Sequence, residues 1–501
     1  MTEKPVIVIG GGVAGLTAAA LLAHEDIEVT LIEAHHQLGG CAGTFCRGPY
    51  VFDVGATQVA GLEPGGIHER LCRHLGIALP PAEILDPGCV VDLADGKPPI
   101  NLWHDPKRWE LERKRHFPGS ELFWSLCSDL HKSNWSFVRR NPILPIGNFW
   151  DLAQLCKSLG PVNCLTGLVS KLSIADLAKM TGAYKDNRLL KFLDLQLRLY
   201  SQEPADRTAA LYGATVLQMA QAPLGLWHLK GSMQTLSNHL ASCFKRDGGE
   251  ILLGHRVTRL LTSKNNDWQV DVRTSKGDLM RIQASDVVCS LPPQSLLNLL
   301  PGNVRFKKYR KQIEQLPSPS GAIVMYAALN RSDLPDGCPS HLQLFTEDLG
   351  SLFLSISHDG DGRAPIGQAT LIASVFVEPT EWCNLTKVNY QKKKQFFWKK
   401  INRHIEKFLN LDCINWLHQE LATPKSFEKW TLRPNGIVGG LGQHPSVFGP
   451  FGLASRTPIQ GLWICGDSIY PGEGTAGVSQ SSLMVSRQLM AERGVQINVS
   501  N

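Results

Sequence analysis

Two stretches at opposite ends of the chain carry the residues best suited to chemistry. The first opens with a β-branched run, Val6 to Ile9, bounded at once by glycine. Gly10, Gly12 and Gly15 follow in the spacing G-x-G-x-x-G, and the alanine- and leucine-rich stretch Leu16 to Ala23 predicts a helix. Glu28 to Ile32 predicts a second strand that delivers an acid, Glu33, at its end. Gly10 permits the tight turn, Gly12 lets the backbone approach a pyrophosphate, and Gly15 allows helix to pack closely on strand. Val13 and Ala14 complete the helix start, whose free N–H groups and partial positive charge suit phosphates. Glu33 is placed to accept hydrogen bonds from ribose hydroxyls. Strand, helix, second strand and acid fall in register, which predicts a dinucleotide site rather than a chance glycine turn. The uncharged run Val6 to Ala23 also resembles a signal peptide or membrane span. Three consecutive glycines and the charged strand that follows argue against that reading.

The second stretch is Gly461 to Val478. A short apolar strand ends in Gly466-Asp467, and a glycine-rich loop through Gly472, Gly474 and Gly477-Val478 opens a helix expected to reach Leu489. A nicotinamide enzyme has no need of this second element. A flavin does, because an aspartate can bind ribitol hydroxyls and a helix N-terminus can stabilise charge on a reduced isoalloxazine. The alternative for Asp467 is a helix or turn cap. Together the two strand-to-helix turns predict FAD rather than NAD.

These turns must be positioned by the intervening chain. Gly39-Gly40 reads either as backbone passing close to a phosphate or flavin edge or as an ordinary loop. Tyr50 to Gln58 reads as a strand running into a glycine turn, where Asp53 is either catalytic or, more commonly, a turn cap. From about Asn101 to Ala222 the pattern is helical and rich in tryptophan and leucine, with a basic segment, His104 to His116, stopped at Pro118-Gly119. Leu189 to Tyr200 and Thr208 to Ala222 are apolar over a wide face, which suits an apolar pocket or plain core packing. A helix is expected to end at Gly248-Gly249. Strands over Ile251 to Leu253, Arg256 to Leu261, Trp268 to Arg273 and Ser285 to Ser290 then return the chain to the first sheet, stopped by Pro292-Pro293. Between Pro301 and Ser455 strand-like runs occur at Ala322 to Ala328, Leu352 to Ile356 and Ala369 to Val377. A basic amphipathic stretch covers Lys387 to Trp416, with Phe397, Ile401, Ile405 and Phe408 on one face. It reads as a surface helix packed on the core or, alternatively, as one lying on an anionic membrane.

The expected class is therefore α/β, with a discontinuous Rossmann-like FAD-binding domain (1–100, 226–300, 456–501) and an inserted α+β substrate domain (101–225, 301–455). The 501 residues are too many for one simple core. A net charge of +6 is modest at this length and, with no nucleic-acid motif beside it, does not point to DNA or RNA. The 13 cysteines contain no C-x-x-C, which argues against structural zinc or a disulfide framework and for a reducing compartment. No later stretch is apolar enough to span a bilayer, and no lipidation signal is visible at the C-terminal end. A cytoplasmic protein, held at most to a membrane face, is the expectation.

With these residues in view, the chain resembles the carotenoid desaturase and isomerase group of flavoproteins, within the amine-oxidase-like, phytoene-desaturase-like superfamily. The resemblance covers essentially the whole length. It is carried by VIVIGGGVAGLTAA with Glu33, LGGCAGTF, YVFDVGATQVAGLEPGG, HLKGSMQTLSNHL with GGEILLGHRV, and CGDSIYPGEGTAGV. FDVGATQVAGLEPGG, FPGSELFW and LDLQLRLYSQ look most like the cyanobacterial subgroup that desaturates monocyclic carotenoids at C-3',4' on the way to carotenoid glycosides. The resemblance implies pyrophosphate at Gly10, Gly12 and Gly15, ribose at Glu33, and a flavin-side backbone at Gly39 and Gly40. It further implies a main-chain adenine contact at Val257, ribitol at Asp467 after Gly466, and a pyrimidine-side helix start at Gly477-Val478. One departure stands out: Ser481 is followed by Ser482 where the family usually places glycine or alanine. Amine oxidases usually carry Gly-Thr-Glu or Gly-Ala-Glu in place of Gly466-Asp467, and a Ser-Gly-Gly-Cys attachment context is absent, so FAD is expected to be non-covalent.

The reaction so implied is dehydrogenation of a long apolar carotenoid drawn from a membrane. No Ser-His-Asp or paired-carboxylate constellation is evident, which agrees with a cofactor doing the chemistry; no catalytic acid, base or metal ligand is assigned, and the electron acceptor is open. The rivals are a redox-neutral carotenoid cis–trans isomerase on the same scaffold, an amine oxidase, and a non-enzymatic prenyl- or lipid-binding escort protein.

Overall fold

The computed structural model describes residues 4–160, 167–219, 224–262, 267–302, 307–409 and 415–499. Its centre is a parallel sheet of five strands in the order Leu462–Ile464, Asp286–Cys289, Val6–Ile9, Val29–Glu33 and Glu250–Leu253. Val6–Ile9 is buried throughout, as expected for a strand covered on both faces by helices. The helix Val13–His24 follows at once, and its residues from Val13 to Ala23 are all buried. A helix apolar all round must be enclosed. It lies against the C-terminal helix Gly474–Glu492 and against Gln234–Arg246, so both ends of the chain meet on one central helix. A three-stranded antiparallel sheet, His255–Thr262, Trp268–Thr274 and Leu279–Ala284, flanks this unit.

The second large element is a seven-stranded sheet in the order His418–Ala422, Gly321–Asn330, Gln368–Val377, Gly350–Ile356, His341–Thr346, Val90–Asp92 and Ile100–Asn101. Strand alternation gives it two apolar faces. Ile323, Met325 and Leu329 pack on one side with Ile401, Ile405 and Leu409 of the helix Lys387–Leu409. Val324, Tyr326 and Ala328 face the other way, onto Tyr50 and Phe52 of the hairpin Thr44–Asp53. A third cluster joins Trp109, Phe117, Phe123 and Trp124 to Phe192 of the helix Asn187–Ser201.

Val90–Asp92 and Ile100–Asn101 pair with the seven-stranded sheet, ahead of the composition change at Asn101. Two expectations are corrected here. The basic helix ends at Leu409 among the described residues, since Asn415 and Trp416 are not helical; 410–414 lie outside the described residues, as do 220–222 at the end of the expected Thr208 helix. Its apolar face is closed over the sheet, which favours the packed surface helix over one laid on a bilayer. Finally, Asp53 is no turn cap. It is buried, accepts from Met233 N at 2.9 Å, and pairs with Arg363 at 3.1 Å. Arg363, also buried, holds Asp361 at 3.0 Å and the Leu229 carbonyl at 3.0 Å. This brace ties the hairpin and the strand Trp227–Leu229 to the 357–363 loop. Burial raises the Asp53 carboxyl, opposed chiefly by the charge on Arg363.

Candidate functional site

The N-terminal turn is built almost entirely from backbone. Gly10 has φ +99°, a left-handed conformation that favours glycine. A Cβ on Gly15 would lie 1.9 Å from the Gly10 carbonyl oxygen, so glycine is what lets the helix approach the strand. Ser290, just past its strand, donates its hydroxyl to Ile9 O at 2.9 Å and closes the turn from below. A Cβ on Gly12 would meet nothing within 4 Å. The helix that starts there, with Val13 and Ala14 in its first turn, has no side-chain cap and no acid in that turn. Open space, uncapped N–H groups and missing negative charge fit a pyrophosphate. Glu33 is held by two backbone donors, Gly11 N at 2.6 Å on one carboxylate oxygen and His35 N at 2.7 Å on the other. Gly39, at φ +112°, donates to Gly11 O at 2.8 Å, and a Cβ on Gly40 would come within 3.3 Å of the Gly12 Cα. The Gly39-Gly40 turn therefore packs directly on the fingerprint and is not a free loop. Val257 is buried beside a register shift in its strand, while the neighbouring Gly254 donates to His35 O at 3.0 Å, bringing this sheet to the Glu33 end.

The C-terminal turn meets the first one. Gly466 lies 4.0 Å (virtual Cβ) from the Ala14 methyl, and its N–H donates to Ser481 Oγ at 2.9 Å. Ser482, the departure from the family pattern, is fully buried and donates to Ala14 O at 2.8 Å, pinning the two helices together. A Cβ on Gly477 would sit 2.3 Å from Gly472 O, and Val478 O accepts the hydroxyls of both serines at 2.8 Å. Gly466, Asp467, Gly477 and Val478 thus gather beside Gly10 to Gly15.

Three further side chains converge here: Glu473 from within the C-terminal stretch, Gln202 from the end of LDLQLRLYSQ, and Arg433 from a segment that carries no motif. Arg433 forms an ion pair with Asp467 and also donates to Gly439 O. Glu473, the residue preceding the C-terminal helix, accepts from Gly440 N at 3.1 Å and from Gln202 Nε2. Gln202 also donates to Gly440 O at 3.0 Å and accepts from Ser320 N at 2.7 Å. Burial, followed by the charge on Asp467, raises the Glu473 carboxyl well above its ordinary range, a direction that favours its neutral form. The ion pair sustains the Arg433 guanidinium's charge against burial. A Cβ on Gly440 would lie 2.1 Å from Asp467 O, and one on Gly439 2.4 Å from Gln202 Nε2. The glycine-rich run Gly436-Ile-Val-Gly439-Gly440-Leu-Gly442 was the available signal for this wall. Among the described residues no group of three or more His, Cys, Asp or Glu could hold a metal ion.

The strand-to-helix turns from the two ends of the chain thus meet in one place, with open space at Gly12 between the uncapped helix start and its neighbours. Residues 8–75 match the NAD(P)-binding Rossmann-like domain, and residues 167–490, more than half of the chain, match the flavin containing amine oxidoreductase family. The chain belongs to that family and is a flavin-dependent oxidoreductase with a Rossmann-like domain and the amine-oxidase fold. A chloroplastic prolycopene isomerase of Daucus carota is 25% identical, the match covering 99% of this chain and 81% of that protein. An all-trans-retinol 13,14-reductase of Danio rerio is 22% identical over 98% and 87%. A 4,4'-diapophytoene desaturase of Staphylococcus aureus is 24% identical over 68% and 66%. Putrescine oxidase bound to putrescine shares the fold, with a TM-score of 0.64 and 18% identity, over 98% of this chain and 99% of that one.

Proposed function

We infer that the protein is an FAD-dependent carotenoid desaturase that introduces the 3',4' double bond of a monocyclic carotenoid. FAD is held non-covalently by Gly10 to Gly15, Glu33, Gly39-Gly40, Val257, Gly466-Asp467 and Gly477-Val478. The FAD-binding domain takes the N-terminal, 226–300 and 456–501 segments, with its first boundary before Val90, and the remainder forms the substrate domain. The observation that carries this reading is that two of the three stretches resembling the desaturase subgroup reach the C-terminal turn, and the third packs on the helix that leads to it. Gly61 of FDVGATQVAGLEPGG lies 3.4 Å (virtual Cβ) from the Ala476 methyl at the start of the C-terminal helix. Gln202 of LDLQLRLYSQ reaches Glu473 and Gly440. Phe117 of FPGSELFW packs at 5.1 Å on Phe192 of the same helix that leads to Gln202.

Bound FAD supplies a two-electron oxidant. That oxidant would allow removal of two hydrogens from adjacent allylic carbons, one as hydride and one as proton, so that the bond between them becomes double. The polyene spreads the transient positive charge. The protein's share is positioning and exclusion of water, with Asp467 and Arg433 orienting the ribitol side and neutral Glu473 keeping its proton. The full-length likeness to prolycopene isomerases supports a second reading, cis–trans isomerisation without net oxidation. Incubating FAD-loaded protein with candidate carotenes in liposomes separates the two. A red-shifted absorption spectrum is expected for a lengthened polyene; unchanged conjugation with an altered isomer ratio overturns the desaturase reading in favour of the isomerase.

A further inference from the structure

The helix Phe149–Ser158 is amphipathic the wrong way round. Residues 151, 154, 155 and 158 share its inner face, and three of them are polar. Asp151 and Ser158 are fully buried. Asp151 accepts from Gly147 N at 2.9 Å and Gln488 Nε2 at 3.0 Å and faces Arg456 at 3.5 Å. Gln154 accepts from Arg487 at 2.9 Å, and Ser158 donates to Arg140 O at 3.0 Å. The outer face, at 149, 152, 153 and 156, has the same spacing and reads Phe, Leu, Ala, Cys, all exposed. Phe149 is 90% exposed and Leu152 41%, with Ile146 at 45% just before the helix. The 444–456 loop touches the inner face of this helix through Arg456, and its own Phe451 is 41% exposed. Large apolar groups concentrated on one face mark an interaction surface.

Charge decides the occupant. Across residues 139–159 the single acid is Asp151, buried and paired, and residues 444–456 and 167–172 contain none. Exposed Lys157 sits on the helix, and Lys171 Nζ lies 5.3 Å from the Phe451 ring centre. Apolar side chains flanked by cations, with no exposed carboxylate among these segments, match an anionic lipid surface, where rings enter the acyl boundary and lysines meet headgroups. We propose that this face, and not the basic helix Lys387–Leu409, docks the protein on an anionic bilayer. The purpose of docking, access to an apolar substrate, rests on the carotenoid reading; the docking itself does not.

The test is co-sedimentation of the flavin-loaded full chain with phosphatidylcholine vesicles, with and without about one-third phosphatidylglycerol. No carotenoid is needed, so the result is independent of the reaction catalysed. Binding to the anionic vesicles is expected. Phe149→Glu with Leu152→Glu should lower the bound fraction at least about tenfold, with flavin content and melting temperature unchanged as the check on folding. Lys157→Glu with Lys171→Glu should weaken binding selectively at low salt. Lys392→Glu with Lys394→Glu should leave it unaltered. Absence of vesicle binding, binding unaffected by the Phe149 and Leu152 changes, or a wild-type dimer that those changes dissociate would each overturn the proposal.

Discussion

The two turns of the candidate site are made in opposite ways. The N-terminal turn uses backbone drawn from one continuous segment: glycines that permit close approach, and a carboxylate pinned by two N–H groups. The C-terminal turn combines side chains from three separated stretches, Gln202, Arg433, and Asp467 with Glu473, against glycines at 439 and 440. A backbone-built site tolerates little change of residue type and so leaves a spaced signature. A side-chain site balances charge across distant segments, and any one member by itself looks like an ordinary surface residue.

This contrast can be broken experimentally, and the largest effect is expected on the backbone side. Gly15→Val places carbon atoms where the Gly10 carbonyl already lies, so flavin content after purification should fall more than about tenfold, read by visible absorbance. Retained flavin would show that the helix can retreat. On the side-chain side, Arg433→Gln strands the Asp467 carboxylate in a largely buried position. Loss of about 3 kcal/mol of unfolding free energy is expected, most of it restored by adding Asp467→Asn. An additive double mutant would mean the pair is not coupled.

A smaller effect is expected for Glu33→Ala, which removes the acceptor for two backbone donors as well as for ribose. FAD affinity measured by titration should weaken by about tenfold, while a change below twofold would remove Glu33 from the site. The smallest effect, and the sharpest in form, concerns Glu473. Its folded carboxyl is raised above the usual 4.5, so above that pH the unfolded chain gives up a proton that the folded chain retains. The unfolded state then binds fewer protons, and this group lowers stability as pH rises from about 4.5 towards the folded value. Glu473→Gln keeps the acceptor for Gly440 N and removes the titration. The variant should gain stability relative to wild type on going from pH 5 to pH 8 in denaturant titrations. An equal difference at both pH values would show that Glu473 is ionised in the folded protein.

Much of the fold was legible because its signals are local. The fingerprint strand and helix, the returning strand Asp286–Cys289 and the Gly-Asp turn all fall where glycine and β-branched periodicity put them. Asp53 was misread because an aspartate after a strand looks the same whether it caps a turn or meets Arg363, 310 residues away. The helix Phe149–Ser158 went unnoticed for a related reason. Periodicity reports that two faces differ, and the usual rule sends the apolar face inward. Here Arg456, Arg487 and Gln488 draw Asp151 and Gln154 in instead.

By itself, then, the sequence determined the two glycine-bounded strand-to-helix turns and the return of the chain to its first sheet, because each depends on residue type at short spacing. Tertiary structure alone decided which charges meet at Asp467 and Glu473, and which face of each amphipathic helix is buried. Those outcomes depend on the partners that burial brings within hydrogen-bond distance, and such partners carry no fixed separation along the chain.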